Sequence, residues 1–348
     1  MPSVIISLVV AFFISVIVVI GCWPQLGRSL WVDEAMLFSN YPLSTVKAFL
    51  NPLPYYDQAA TPFYNLLGSL LSKFDILTIR SVSLMLIVFT ASFIMLIGSY
   101  RWRSPSIILL SLFASSTPLI MFSELKHYGL ETVGVVVIVV WYMKKDLDSC
   151  LNIKDLLILF VGMLLGISTI IPSTVALGLF VAIRAISKKK LEWRDIVLLI
   201  LFVFLAVSYY LIIKYITSYQ MSNYALDAYA NKDVFSNIKN FLQSLLGNLS
   251  LGGGAAVLLG LLLLLVSFRD HYTSRFLLLF FVVGLAFLFI SGIGLYPVNS
   301  PRHVTWSVAF FYLIVFYSIC LGDSKSEFLK ATYEKVIYFG LIVLLVIL

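Results

Sequence analysis

Residues 4–34 read VIISLVVAFFISVIVVIGCWPQLGRSLWVDE, an almost wholly apolar run up to Cys22 followed within a dozen residues by the carboxylate pair Asp33-Glu34. The run 4–22 has the length that crosses a hydrocarbon core, for which about 20 residues are needed. It is longer than the apolar part of a secretory signal, has no basic stretch before it and shows no small-residue cleavage site, so it reads as a first membrane span. The chain then leaves the bilayer through Trp23 to Val32, which sets the two carboxylates at the lipid–water boundary.

Outward from this stretch the same composition persists. The 348 residues are 61% hydrophobic and 12% charged, with a mean hydropathy of +1.02. These values exclude a soluble globular domain, and no segment is long and polar enough to form a separate one. The whole of 1–348 therefore reads as a single membrane domain. The net charge of +7 is not a nucleic-acid signal, because the basic residues sit in short clusters between apolar runs, as cytoplasmic anchors do. Cys22, Cys150 and Cys320 lie far apart, so neither a disulfide framework nor a zinc site is expected.

Apolar runs set against charged punctuation predict an all-α polytopic bundle of about eleven spans. They lie at 4–22, 78–100, 104–122, 126–143, 154–171, 173–187, 195–214, 241–267, 276–295, 303–321 and 336–348. With a cytoplasmic N-terminus, the inner loops collect Arg101, Arg103, Lys144, Lys145, Lys154, Arg184, Lys188, Lys189, Lys190, Arg194, Arg269, Arg275, Lys325, Lys330 and Lys335. These are fifteen of the 24 lysines and arginines, as the positive-inside rule requires. The run from Lys335 is too short to cross, so the chain ends within the bilayer or belongs to a longer one. The outer side receives the loops 23–77 and 215–240, the turn Ser123–Tyr128 and the segment Tyr296–His303. In the first loop, TPFYNLLGSLLSKF at 61–74 has a proline at a helix start and apolar residues at helical spacing, which predicts a helix lying along the interface.

Four features on this outer side carry chemistry. A carboxylate at the boundary is partly desolvated, which disfavours its charged form and makes it a better proton acceptor; Asp33 and Glu34 are candidates for that work. They equally suit the first turn of a helix, where the macrodipole stabilises negative charge. Glu124, Lys126, His127 and Tyr128 fall where two spans leave almost no loop, so they lie at membrane depth; Lys126 and His127 suit a phosphate and Glu124 a hydroxyl. Glu131 follows in the same helix and either faces that cavity or bonds to a neighbouring helix. Arg302, in SPRHVTW, suits a lipid phosphate or snorkels to ordinary headgroups, and the same two readings hold for Arg28 and Arg80.

Taken in order, GRSLWVDEA, TPFYNLL, TIRSVS, SELKHYGL and PRHVTW resemble the GT-C glycosyltransferases of the protein O-mannosyltransferase and aminoarabinose transferase type. In those proteins an Asp-Glu pair follows a Trp in the first outer loop, a Pro-Pro-Leu-Tyr-like segment opens a lateral helix, and an Arg begins the second span. Trp31, Asp33, Glu34, Pro62, Tyr64 and Arg80 match these positions, and Trp31 and Tyr64 would position the loop and the acceptor. Glu124, Lys126 and Tyr128 match a Glu-x-Arg-x-Tyr pattern, with Lys for Arg. The likeness is strongest over 28–145. Thr61 replaces the first proline of the pair, and acceptor recognition is the property this puts in question.

The resemblance implies an inverting transfer from a polyprenyl-phosphate sugar to a lipid, glycan or protein acceptor, at the extracytoplasmic face of a bacterial inner membrane. Asp33 would be the base, Glu34 would position the acceptor or Asp33 itself, and Lys126 and Arg302 would hold the leaving phosphate, with Glu124, His127, Tyr128, Arg80 and Arg28 beside it. No obligatory cofactor is expected. Asp33, Glu34, Glu124 and His127 are the residues that a divalent metal could use. A transporter or flippase of lipid-linked saccharides is the alternative, since intramembrane charges in a polytopic chain also mark that class; no internal repeat of WVDEA or TPFYN supports it.

Overall fold

The computed structural model describes residues 4–30, 32–40, 51–53, 60–98, 128–187, 191–217, 234–247, 257–258, 261–262, 271–293, 295–296, 298 and 304–321. Among these residues the protein is all-helical. Twelve helices can be bounded there: α1 (Val4–Gly21), α2 (Trp23–Leu26), α3 (Val32–Phe38), α4 (Pro62–Leu71), α5 (Ile76–Gly98), α6 (Tyr128–Lys144), α7 (Ile153–Leu164), α8 (Ile170–Ile186), α9 (Trp193–Ile216), α10 (Val234–Gly247), α11 (His271–Gly292) and α12 (Trp306–Leu321). The expected spans at 104–122 and 336–348 lie outside the described residues, as do Trp31, Glu124, Lys126, His127 and Arg302.

Four helices, α1, α5, α9 and α11, are long and apolar enough to cross a membrane, and their surfaces show that the chain is embedded in one. On α1 the residues turned inward are Ser7, Ala11, Ile14, Ser15 and Val18, while Ile5 is 72% exposed and Phe13 60%. On α9, Ala206 and Tyr209 are buried whereas Phe204 is 67% exposed. Large apolar side chains outside and small or hydroxylated ones inside reverse the pattern of a soluble protein, and they suit a lipid solvent that gains nothing from hiding leucine.

The centre of the bundle is α6, which is apolar nearly all round and buried nearly all round, as a helix enclosed by others must be. It is surrounded by α5, α7, α8, α11 and α12, while α1 lies along α5. Its approach to α7 is backbone-close: a Cβ on Gly134 would stand 2.5 Å from the Gly162 carbonyl oxygen and 2.8 Å from Thr169 Cγ2. Helices in lipid associate through such small-residue contacts because they have no hydrophobic drive toward each other. Gly134→Leu is expected to force α6 from α7 and to cost about 1–3 kcal/mol or more. Gly178→Ala, where a Cβ meets nothing within 4 Å, should leave the unfolding midpoint in detergent unchanged. Equal midpoints for the two variants would show that the α6–α7 crossing is not close-packed.

Two expected spans are corrected. The run 154–171 does not continue as one helix: α7 stops at Leu164 and α8 begins at Ile170. Hydropathy cannot place this turn because apolar residues run through it. Pro172 falls in the first turn of α8, where a missing N–H removes no helical bond. The span expected at 241–267 is preceded by α10, which starts in the expected loop and ends at Gly247. It exposes Phe235, Ile238, Leu242 and Leu246 along one stripe and buries Asn237, Phe241 and Ser244.

Local signals set the starts of other helices. Thr61 caps α4 by accepting the Tyr64 amide at 3.4 Å, and Pro62 opens the helix, so the helix expected at 61–74 is found at Pro62–Leu71. Asp75 precedes α5 and accepts the Thr78 amide at 2.9 Å. The Thr78 hydroxyl first, and its amide next, hold the exposed Asp75 carboxyl below the usual carboxylate range. Asn152 with Asp155, and Glu192 with Asp195, form capping boxes that open α7 and α9.

One end of the bundle is tied by long-range charge contacts. Lys145 pairs with Asp155 at 2.8 Å, and the Trp141 indole donates to the same carboxylate at 3.0 Å. Arg184 pairs with Asp195 at 3.4 Å, and Arg275 donates to the carbonyls of Tyr142 and Lys145. These basic residues are ones that the charge rule assigned to the inner loops, and the structure gathers them at a single end.

Candidate functional site at the opposite end

The opposite end is assembled from the starts of α3, α5, α6 and α12 and from the turn 165–169. Helix α5 and α6 run parallel: Gly129 sits against Ile87, and Lys144 donates to the Ile97 carbonyl at 2.7 Å. Their first residues therefore share one end, with Arg80 on α5 beyond the level of Glu131 on α6.

The outermost group is Arg28, Glu34 and Arg80. Helix α1 ends at Gly21, and the short α2 turns the chain back so that the carbonyls of Leu26, Arg28 and Ser29 face α5. Arg80, in the first turns of α5, is fully buried. Its Nη1 donates to the carbonyls of Leu26 (3.0 Å) and Arg28. Its Nη2 donates to the Ser29 carbonyl (3.3 Å) and to Glu34 Oε2 (2.8 Å). Arg28 Nη1 reaches the same Glu34 oxygen at 3.4 Å. Glu34 is itself fully buried, so the guanidinium supplies the donors that a carboxylate out of water needs. Asp33 and Glu34 stand at the second and third positions of α3, the helix-start setting that was one of the two readings of the pair. Arg80, expected beside the donor phosphate, is turned inward onto this loop. Tyr64, expected near the acceptor, is buried in α4.

The second group lies deeper. Glu131 is 1% exposed; its Oε1 accepts the amides of Ile167 (2.9 Å) and Ser168 (3.2 Å), and its Oε2 accepts the Thr305 hydroxyl at 2.8 Å. A Cβ on Gly166 would stand 2.2 Å from Glu131 Cγ, so only glycine lets the turn close on the carboxylate. Tyr209 from α9 donates to the Leu164 carbonyl at 3.1 Å and satisfies the other side of the break. Of the two readings of Glu131, bonding to neighbouring elements is the one observed. Tyr128, expected in a turn, is the buried first residue of α6.

Sequence reasoning did not find the Glu131–turn–Thr305 connection. The signal for it was the small and polar run Gly166-Ile167-Ser168-Thr169 inside an apolar stretch, a composition that marks a turn even where hydropathy stays high.

The fold and site define a membrane-embedded helical protein with an arginine-held carboxylate helix at one end of its bundle. No family model, no curated protein and no solved structure matches the chain.

Proposed function

We propose that the protein is an integral membrane glycosyltransferase of the GT-C type. It is an eleven-span bundle that moves a sugar from a polyprenyl-phosphate carrier to a lipid, glycan or protein acceptor on the extracytoplasmic face of a bacterial inner membrane. Asp33 takes the proton from the acceptor hydroxyl as its oxygen attacks the anomeric carbon. The bond from that carbon to the phosphate oxygen breaks with inversion, and Lys126 and Arg302 hold the departing polyprenyl phosphate. Glu34 and Arg80 take the positioning part: they fix the helix on which Asp33 stands.

The observation that carries this reading is the anchoring of α3. A seven-residue helix is far too short to hold itself in place, yet Glu34 is bound by Arg80 at 2.8 Å and by Arg28 at 3.4 Å. Buried charge invested in orienting a carboxylate-bearing helix at a bundle end suits a site whose base must be preorganised. The rival transporter reading draws on the interrupted α7–α8 pair beside Glu131, since discontinuous helices line transporter sites. That break lies beside the first turn of α6, near one end of the bundle, whereas an alternating-access site lies near the midplane.

The deciding test supplies the purified protein in vesicles with polyprenyl-phosphate hexoses, pentoses and amino sugars together with membrane extract. Label is expected to pass to an acceptor as free polyprenyl phosphate accumulates. Passage of the intact lipid-linked sugar across the vesicle without that release would sink the glycosyltransferase and establish the transporter. Orientation is tested with Ser39→Cys and Ser187→Cys, both at exposed positions. An impermeant thiol reagent on intact cells should label the first and spare the second.

A further inference from the structure

Glu131 joins three pieces of chain that are remote in sequence: its own helix α6, the turn before α8 and the segment entering α12. The bond to Thr305 spans 174 residues. Both partners are buried, Thr305 fully, and a carboxylate at this depth is costly unless such donors meet it. Three amide or hydroxyl donors meet it here, at 2.8–3.2 Å. Anchoring α7 and α8 accounts for the two amides. It does not account for the third, because α12 already packs along α6 and Trp306, next to Thr305, is stacked on Phe287 at 4.3 Å.

The sequence around the two ends of that third bond is informative. Thr305 follows Arg302 by three residues, and Glu131 follows Lys126 by five. Three residues of chain separate two Cα atoms by at most about 11 Å, so tying Thr305 to Glu131 limits how far the two basic residues can drift apart. We propose that the Glu131–Thr305 hydrogen bond is a positioning element that sets the spacing of Lys126 and Arg302 for one lipid phosphate. The inference rests on the glycosyltransferase reading above and adds to it the residues that place the phosphate clamp. Neither Glu131 nor Thr305 touches the donor; each acts through the cation on its own segment.

Thr305→Val exchanges the hydroxyl for a methyl of the same shape, and Thr305→Ser retains the donor. The full-length protein in phosphatidylcholine nanodiscs is titrated with undecaprenyl phosphate and, separately, with undecaprenol, which has the chain without the phosphate. Thr305→Val is expected to bind undecaprenyl phosphate about tenfold more weakly than the parent and undecaprenol as well as the parent, with Thr305→Ser restoring the phosphate affinity. A loss shared equally by both ligands marks a merely structural bond and overturns the proposal, as does an undiminished affinity for the phosphate. If Thr305→Val elutes as aggregate, Thr305→Ala against Thr305→Ser makes the same comparison. A parent that binds undecaprenyl phosphate no better than undecaprenol refutes the donor reading and this inference with it. A parent that prefers the phosphate beside an unaffected Thr305→Val refutes the inference alone.

Discussion

Asp33→Asn is expected to lower sugar transfer by about 10²–10⁴-fold, the range that a positioned general base contributes. The amide has the size of the carboxylate and cannot take the acceptor proton, so attack would proceed only through the small fraction of acceptor already ionised. Donor binding does not involve that proton, and the affinity for undecaprenyl phosphate should stay at the parent value. The loss therefore appears in kcat with the donor KM unchanged, the pattern of an interaction made only in the transition state. Transfer at the parent rate would remove Asp33 from the base role, and with it the mechanism proposed above. Glu34→Gln should behave differently, because Glu34 bonds to Arg80 and Arg28 and its loss loosens α3 as well as slowing transfer.

The largest effect on stability is expected from Arg80→Leu, at about 3–5 kcal/mol, the cost of leaving a buried charge without its partner. Arg80 is fully buried and binds one carboxylate and three carbonyls that lie 46–54 residues away in sequence. Without the guanidinium, the Glu34 carboxylate keeps only the longer contact to Arg28, and the carbonyls of Leu26, Arg28 and Ser29 lose the same donor. Removing both charges at once, as Arg80→Leu with Glu34→Leu, should cost less than Arg80→Leu alone, since no stranded ion remains. Unfolding in mixed detergent micelles gives the comparison. If Arg80→Leu unfolds together with the parent, the arginine is not what holds the loop and α3.

Wherever structure follows from a local pattern, it was legible in the residues. The apolar runs that became α1, α5, α9 and α11 needed only length and hydropathy, because lipid asks the same thing of every crossing helix. Thr61-Pro62 announced the start of α4, and the clustering of Lys145, Arg184 and Arg275 away from Asp33 and Glu34 followed from charge alone. The order WVDEA, TPFYN, TIRSVS likewise placed Glu34 and Arg80 among the residues to watch, though not against each other.

Tertiary structure decided what each polar group is bonded to. Hydropathy could not see the α7–α8 turn, because the glutamate that satisfies its amides comes from α6, 36 and 37 residues before them. Nor could Arg80 be assigned by type: an arginine at a span's mouth suits a phosphate or a headgroup as well as it suits Glu34, and only the folded chain shows the carboxylate 2.8 Å away. The apolar span and the carboxylate pair of residues 4–34 were determined by sequence, since partition into lipid depends on each segment's own side chains. The burial of Glu34 and the tie from Glu131 to Thr305 were decided by the fold, since a hydrogen bond needs two groups that only packing brings together.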